Sequence, residues 1–210
     1  MKKLMMLCLI LFLLSFENSV FAQSKIALDY GISNTLHYNQ PVNLNFCDEG
    51  CFPNKQRAKL AHNIVLSYYK SINPKHEIKI GIGASQYRYW EKGMASDGTS
   101  NLYPYQNIHE FSYYNFAIGH RFKLKQHKKI KLYIENSVIY ERLTYQSYVL
   151  KQGGMAIKTG IGFLTRISKK LDANFKAFYK SGVTNYSKKD YIGKYTPFGY
   201  GIEFGVSRDL

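Results

Sequence analysis

The chain has little of several features that would otherwise narrow its class. It contains 3 Cys, 5 Pro and 1 Trp among 210 residues, and 29 Lys and Arg outnumber its 14 acidic residues. Its glycines show no triplet period, which excludes a collagen-like chain. No P-loop, dinucleotide fingerprint, metal-ligand cluster or nucleic-acid-binding motif occurs, and no linker or low-complexity tract divides the chain. At 45% hydrophobic content the chain is too apolar to be disordered, so we expect one folded domain.

The chain also lacks an apolar run long enough to cross a membrane as a helix. Leu4–Leu14 is continuously apolar, but it is about half as long as the roughly 20 residues that a spanning helix needs. A basic start precedes this run, and Val20 and Ala22 fit the small-residue positions of a signal-peptidase site. We therefore expect a signal peptide over residues 1–22 and a mature domain over residues 23–210. A retained membrane anchor is the less favoured alternative.

Two cysteines remain after residue 22. Cys47 and Cys51 lie in a polar stretch, and a secreted protein meets an oxidising compartment. We therefore expect a Cys47–Cys51 disulfide, which restricts one loop and contributes little to the fold because its ring is small. The alternative is a metal site. Zinc normally takes four ligands, and the further candidates are Asp48, Glu49 and His37 or His62.

Apolar residues after residue 22 recur at every second position almost throughout. In a β-strand this period places them all on one face, so each such segment predicts a strand. The apolar rows of the eight predicted strands fall within residues 26–32, 64–68, 78–84, 114–122, 132–140, 157–163, 173–179 and 198–206.

The connections between these segments alternate between short and long. Short, basic connections follow the second, fourth and sixth segments, and the four others are Thr35–Ala61, Glu91–Ile108, Arg142–Gly154 and Ser187–Thr196. An up-and-down antiparallel meander produces this alternation when all long loops lie at one end. With eight strands, both chain termini lie at the short-turn end.

The second row of each segment is rich in glycine and charge. A soluble sandwich would expose that row to water, where strands avoid glycine, whereas a membrane barrel turns the apolar row to hydrocarbon. Aromatic residues also cluster beside the long connections, as in the girdle of a membrane barrel. They are Tyr87, Tyr89, Trp90, Tyr103, Tyr105, Tyr140, Tyr145, Tyr186, Tyr191, Tyr195 and Phe198. We therefore predict an all-β fold, an eight-stranded antiparallel up-and-down transmembrane β-barrel, because closure pairs every backbone amide in lipid.

Charged side chains of both signs occupy the row that would face the barrel interior. Eight strands enclose a space just wide enough for side chains, so we expect a filled lumen without an open pore. Buried charges are costly unless they are paired, so we expect a stacked ion-pair network rather than a catalytic site. The predicted lumen network comprises Glu77, Lys79, Arg121, Glu135, Glu141, Lys158, Arg166, Lys176 and Glu203.

The signal peptide, the eight alternating segments and the last strand, Phe198–Val206 (FGYGIEFGV), resemble the small outer-membrane β-barrel proteins of Bacteroidetes-type bacteria. These are porin-like barrels of the kind typified by OmpA and OmpX. The resemblance is one of pattern and covers essentially the whole mature chain. It implies an integral outer-membrane protein with periplasmic N- and C-termini, and roles in secretion, transport or surface attachment.

We expect a non-enzymatic barrel whose long loops serve envelope structure, adhesion or partner binding, without a cofactor. The expected partners are outer-membrane lipids and lipopolysaccharide, and an extracellular or envelope protein is a further candidate. Nucleic acid is not an expected partner despite the net charge of +15. Lipopolysaccharide phosphates would meet basic residues of the long-loop end, namely Arg142, Lys151, Lys188, Lys189 and Lys194.

Three alternatives stay open, and the first is a lipid A-modifying enzyme of one of two kinds. A lipid A acyltransferase would use His37 as base, Ser96 as nucleophile and Asp97, although Ser96 and Asp97 also fit an ordinary turn. A deacylase would need His-x-Ser on one strand, whereas His109 and Ser112 are spaced to lie on opposite faces. A small-solute channel and a secreted soluble β-barrel or sandwich are the other two alternatives.

Overall fold

The computed structural model describes residues 23–39, 52–96, 102–126, 130–144, 153–184, 186 and 195–210. The predicted signal peptide, Cys47 and Cys51 lie outside these described residues. None of the described residues belongs to a helix of a length and hydropathy that would cross a membrane. The strands are β1 Ser24–Asn39, β2 Phe52–Ser71, β3 His76–Ser96, β4 Leu102–Gln126, β5 Ile130–Leu143, β6 Gly153–Ser168, β7 Leu171–Gly182 and β8 Tyr195–Asp209.

The eight strands form one closed barrel in chain order. Each strand pairs antiparallel with the next, and β8 returns to pair with β1, for example at Leu28 opposite Val206. Because β8 pairs with β1, the sheet has no unpaired edge strand along this pairing. The eight-stranded antiparallel up-and-down barrel that the alternating pattern predicts is confirmed.

Apolar side chains cover the outside of the barrel and charged side chains fill the inside. On β8, Phe204 is 45% exposed, whereas its neighbour Glu203 is 1% exposed. On β5, Val138 points outward in the same way and Glu135 is buried. This distribution is the reverse of a water-soluble protein, in which ionised residues are the ones almost never buried. The outer wall therefore suits an apolar surrounding medium.

Every strand is longer than its predicted apolar row, and β2, β3 and β4 are the longest. β2, β3 and β4 contain 20, 21 and 25 residues, so β2 begins and β4 begins inside the predicted long connections Thr35–Ala61 and Glu91–Ile108. Antiparallel pairing continues beyond the apolar rows because polar cross-strand pairs, such as Arg88 with Glu110, keep the ladder together. A pattern of apolar residues alone does not detect such polar strand ends.

The ends of these three strands form a small sheet that continues beyond the barrel. Pairing of β4 with β5 extends up to Tyr113 opposite Leu143, and pairing of β2 with β1 extends up to Lys59 opposite Thr35. Beyond those points residues 52–58 of β2, 86–96 of β3 and 102–112 of β4 stay paired with one another. We call this part the three-stranded extension. It lies at the end of the barrel opposite the short turns.

Glycine lines the lumen where large side chains cross it. A Cβ atom on Gly162 would lie 2.6 Å from Cζ of Tyr133, and one on Gly160 would lie 2.9 Å from Cγ of Lys176. Real Cβ atoms do not approach other atoms that closely, so these positions admit only glycine unless the neighbours move. This confirms the interpretation that the glycine-rich row makes room for long side chains.

Candidate functional site

A single carboxylate organises the middle of the lumen. The Glu135 side chain, from β5, accepts hydrogen bonds from Lys79 Nζ at 2.8 Å, Arg121 Nη2 at 2.7 Å and Lys176 Nζ at 2.7 Å. The hydroxyl of Tyr69 also donates to Glu135, at 3.0 Å. Because these partners come from β2, β3, β4 and β7, the cluster ties opposite walls of the barrel together.

The guanidinium of Arg121 is held between two aromatic rings. Its central carbon lies 4.0 Å from the ring centroid of Tyr69 and 4.1 Å from that of Tyr133. Arg121 is among the largest fully buried side chains of the described residues. Cation–π stacking and the ion pair with Glu135 together compensate for the loss of its hydration.

A second carboxylate extends this cluster towards β8. Glu203 pairs with Lys176 at 2.7 Å and with Lys158, and it accepts a hydrogen bond from Asn63 at 2.6 Å. Lys176 therefore bridges Glu135 and Glu203. The shared cation makes the middle of the lumen one continuous network rather than a set of separate pairs.

Two further groups of ion pairs close the short-turn end. Lys25 and Arg166 each pair with both Asp172 and Asp209, at distances from 2.6 to 3.3 Å. Across the lumen, Glu77 pairs with Lys123 and Arg121, and its carboxylate is fully buried. The first and last strands, β1 and β8, are therefore linked with β6 and β7 into one group by ion pairs as well as by backbone hydrogen bonds.

Aromatic side chains close the long-loop end. Tyr87, Tyr113, Leu143 and Tyr186 form a buried cluster inside the barrel, against which Phe111 packs. The position of Tyr87 and Tyr186 beside the long connections predicts that they belong to an outer aromatic girdle. That prediction is wrong for these two residues, because their side chains are buried inside the barrel. Tyr87 belongs to the inward row of β3 together with Glu77 and Lys79, Tyr186 follows β7, and both hydroxyls donate hydrogen bonds to the buried carboxylate of Glu141.

Glu141 is the polar centre of this end of the lumen. It accepts hydrogen bonds from Lys180 at 2.6 Å, from Tyr186 at 2.9 Å and from Ser85 at 3.1 Å. Burial and the adjacent Glu141 carboxylate raise the pKa of the Tyr186 hydroxyl, so Tyr186 acts as a proton donor. Tyr186, which follows β7, is thereby anchored into the mouth of the barrel.

The structure places eight of the nine residues of the predicted lumen network in the interior. Arg166 differs, because its half-buried side chain lies at the short-turn rim. The prediction omits other residues of the inward row that also make ion pairs there, namely Lys25, Lys123, Asp172, Lys180 and Asp209. The same period of two that identifies the strands would have found Lys25 and Lys180.

A small cavity of mixed polar and apolar lining lies between the middle of the lumen and its aromatic end. Its volume is about 40 Å³, and its lining includes Lys79, Lys158, Lys180, Ser85 and Asn115. A water molecule needs roughly 10–15 Å³ by this measure, so the cavity has room for about three. Its lining also contains apolar residues such as Val65 and Phe178, so only part of its surface offers hydrogen-bond partners to water.

The outer wall has different chemistry at its two ends. Exposed tyrosines mark the long-loop end of the apolar wall at similar heights: Tyr114, Tyr140, Tyr179 and Tyr200. At the short-turn end the outward row includes Lys70 and Arg208, and the connecting turns expose Lys75, Lys169 and Lys170. His76 and His120 also face outward there, with Nδ1 and Nε2 separated by 2.9 Å.

The residues of the enzymatic alternatives lie in separate parts of the sheet. The backbone of His37 pairs with Pro197, just past the Thr35–Lys59 pair, whereas Ser96 pairs with Leu102 beyond the Phe52–Met94 pair. Lys59 and Phe52 are seven residues apart, so they are separated along β2 by roughly 23 Å at 3.3 Å per residue. Asp97 lies outside the described residues.

The other enzymatic pair shares one strand. His109 and Ser112 both belong to β4, opposite Tyr89 and Gln86 of β3. An odd spacing along an unbroken ladder places them on opposite faces of the sheet, as their spacing predicts.

No protein-family model matches this chain, and no curated protein sequence matches it. Solved structures do match it. Neisserial surface protein A aligns with a TM-score of 0.53 and 10% identity, over 89% of this chain and 97% of that protein. The outer membrane protein OprG from Pseudomonas aeruginosa aligns with a TM-score of 0.50 and 7% identity, over 90% of this chain and 97% of OprG. The chain shares the fold of these barrels.

Proposed function

We propose that this protein is an integral outer-membrane β-barrel with a closed, charged lumen, and that it acts by binding at its long-loop end. The observation that carries this proposal is the reversed distribution of side chains, with an apolar outer wall around buried ion pairs. A bilayer is the medium that such a wall fits, and a closed sheet satisfies its backbone there.

Binding is favoured over catalysis because the buried carboxylates of the lumen are already engaged in ion pairs. Glu135, Glu141 and Glu203 each contact at least one ammonium group at hydrogen-bond distance. A general acid or base needs an unengaged proton site within reach of a substrate, and these groups instead fix the strands. The expected role is therefore envelope structure, adhesion or partner binding.

The short-turn end, with both termini, would face the periplasm. Its exposed lysines would lie against phospholipid head groups, where each basic residue can contribute about 1 kcal/mol on an anionic surface. The tyrosines at the opposite end would lie at the outer interface. Assignment to Bacteroidetes-type barrels stays a prediction from the signal peptide, the eight alternating segments and the last strand. The Cys47–Cys51 disulfide likewise stays a prediction, which thiol titration before and after reduction would check.

Spin labels on the barrel wall test the membrane placement. Labels at Phe116 and Phe204, which point outward, should be accessible to oxygen and protected from a water-soluble nickel reagent in membranes. A label at Thr144, which is exposed beyond the end of β5, serves as the control and should show the reverse. Equal access of the nickel reagent at all three positions would disprove the placement.

Gel migration gives a second, independent test. The protein should sediment with the membrane fraction, run compact without boiling and shift after boiling, because a barrel closed by continuous pairing resists detergent at room temperature. Recovery in the soluble periplasmic fraction would instead favour the secreted soluble barrel.

A further inference from the structure

One face of the three-stranded extension combines an aromatic residue with cations. Trp90 of β3 lies between Arg57 of β2 and Ile108 of β4 in the strand register, so the three side chains share a face. The guanidinium carbon of Arg57 lies 5.8 Å from the Trp90 ring centroid, and Ile108 is 57% exposed. An aromatic and an aliphatic group thus remain available beside a stacked cation.

The same face carries an excess of positive charge. Arg88 and the exposed Lys92 belong to the same row of β3 as Trp90. Glu110 is the acidic neighbour of Arg88, at 2.9 Å from its Nε, and it also accepts a hydrogen bond from Gln86. Arg57, Arg88 and Lys92 contribute three positive charges and Glu110 contributes one negative charge, so these four side chains have a net charge of +2. Arginine presents paired donors that match the oxygens of a phosphate group.

The height of this face follows from the strand register. Ala84 of β3 lies opposite Tyr114, one of the tyrosines that mark the long-loop end of the apolar wall. Trp90 follows six residues later, roughly 20 Å further along the strand at 3.3 Å per residue. In the proposed orientation Trp90 and its cations therefore lie outside the hydrocarbon, among head groups and sugars.

The outward row of β3 is continuous from one region to the other. Ile80 and Ile82 lie in the apolar wall, and the same row continues through Arg88, Trp90 and Lys92. A molecule that lies along this row meets an apolar surface first and cations with an aromatic ring afterwards. That order matches an amphiphile with acyl chains and a phosphorylated sugar head group.

We propose that this face of the extension binds the phosphate-bearing head group of an outer-leaflet glycolipid such as lipopolysaccharide. Arg57 and Lys92 bind phosphate oxygens, Trp90 packs against a sugar ring, and the acyl chains lie on the apolar wall below. This inference rests on the proposed outer-membrane orientation and adds to it a ligand class and the residues that bind it.

Trp90 is the single tryptophan of the chain, so its fluorescence reports on this face alone. The full chain in phosphatidylcholine nanodiscs is titrated with rough lipopolysaccharide that carries its phosphates. We expect a saturable blue shift of the emission. Dephosphorylated rough lipopolysaccharide should need at least tenfold higher concentration for the same shift. Equal midpoints for the two probes, or no shift with either, would overturn the proposal.

Charge variants show whether this face, rather than overall basicity, is responsible. R57Q with K92Q should raise the midpoint at least tenfold, whereas the control K169Q with K170Q makes the same change of charge at the short turns and should not move it. Equal effects of the two pairs would contradict the proposal and indicate non-specific attraction.

An aromatic control lies on the other face of the extension. Tyr103 is 51% exposed and pairs with Ala95, so it points away from Trp90. W90A should reduce the lipopolysaccharide that copurifies with the protein, and Y103A should not. A change of gel migration on boiling in every variant verifies the barrel separately, so a barrel that binds no glycolipid would disprove this inference alone. Such a result would leave a protein partner as the occupant.

Discussion

At the scale of single residues, the lumen is stabilised by shared partners. Glu135 is contacted by three cations, and Lys176 in turn contacts two carboxylates. Removing one member of a buried ion pair leaves an uncompensated charge, which typically costs several kcal/mol. The most sensitive position is therefore the residue with the largest number of opposite charges around it.

The E135Q variant should strongly destabilise the barrel. The amide keeps the shape of the side chain but leaves Lys79, Arg121 and Lys176 without their common anion, so the free energy of unfolding should fall by about 3–5 kcal/mol. Urea titration of the folded band on unboiled gels measures the loss. The control is E110Q on the exposed pair with Arg88, where the loss should stay below about 1 kcal/mol. Similar losses in both variants would contradict the central role of Glu135.

At the scale of strands, the two faces follow different rules. The outward row has to be apolar, whereas the inward row alternates glycine with long polar side chains so that the chains fit within a narrow cylinder. On the inward face of β6, Gly160 lies beside Lys176 and Gly162 lies beside Tyr133. Thr159 of the same strand faces outward and is exposed. The same substitution should therefore have opposite consequences on adjacent faces.

The G162L variant should impair folding, and T159L should be tolerated. A leucine at residue 162 would overlap Tyr133 and the backbone of Phe175, and overpacking of a filled interior costs about 1–3 kcal/mol or more. Leucine at residue 159 adds apolar surface to the outer wall. The yield of heat-modifiable protein in membranes measures both effects. Normal yield of G162L would show that the lumen has more space than its side chains indicate.

The prolines of the three-stranded extension lie in its two outer strands. Pro53 lies in β2 and Pro104 in β4, while the extension residues of β3, which lie between them, include none. Proline cannot donate to a sheet ladder, so it is confined to strand edges. Prolines on outer strands also discourage pairing with further chains. The extension is therefore better suited to binding through its face than through its edges.

At the scale of the whole molecule, the lumen is filled at three levels, because the ion pairs of the short-turn end lie below two further clusters. The aromatic cluster around Tyr87 and Tyr186 closes the long-loop end, and the Glu135 cluster fills the middle. Among the described residues, the cavity between the aromatic cluster and the Glu135 cluster has a volume of about 40 Å³, which has room for a few water molecules. A barrel of eight strands offers no further width.

Planar-bilayer recordings should accordingly show no steady conductance. The Y87A and Y186A double variant should also stay closed, because the Glu135 cluster still fills the middle of the lumen. Single-channel recording of both proteins at equal protein density checks this. A steady ohmic current through the wild-type protein would favour the small-solute channel over a binding role.

Local patterns of residues are enough to locate the strands and to assign the two faces of the barrel. A period of two is a local property, so Ile80 and Phe204 are recognisable as outward residues and Glu203 as an inward one without any knowledge of their neighbours. The alternation of short and long connections adds the meander, because a short turn forces consecutive strands to be antiparallel neighbours. The charged composition of the inward row follows in the same way.

Which side chains meet inside the barrel depends on how the eight strands assemble. Residues as far apart in the chain as Lys79, Glu135 and Glu203 become neighbours through the closure of β8 on β1 and the relative stagger of all eight strands, which no single segment encodes. The period of two already places Tyr87 inward, but the closure of the barrel decides that its hydroxyl and that of Tyr186, which follows β7, both meet the buried carboxylate of Glu141. The face formed by Arg57, Trp90 and Ile108 likewise exists only where three strands pair beyond their apolar rows.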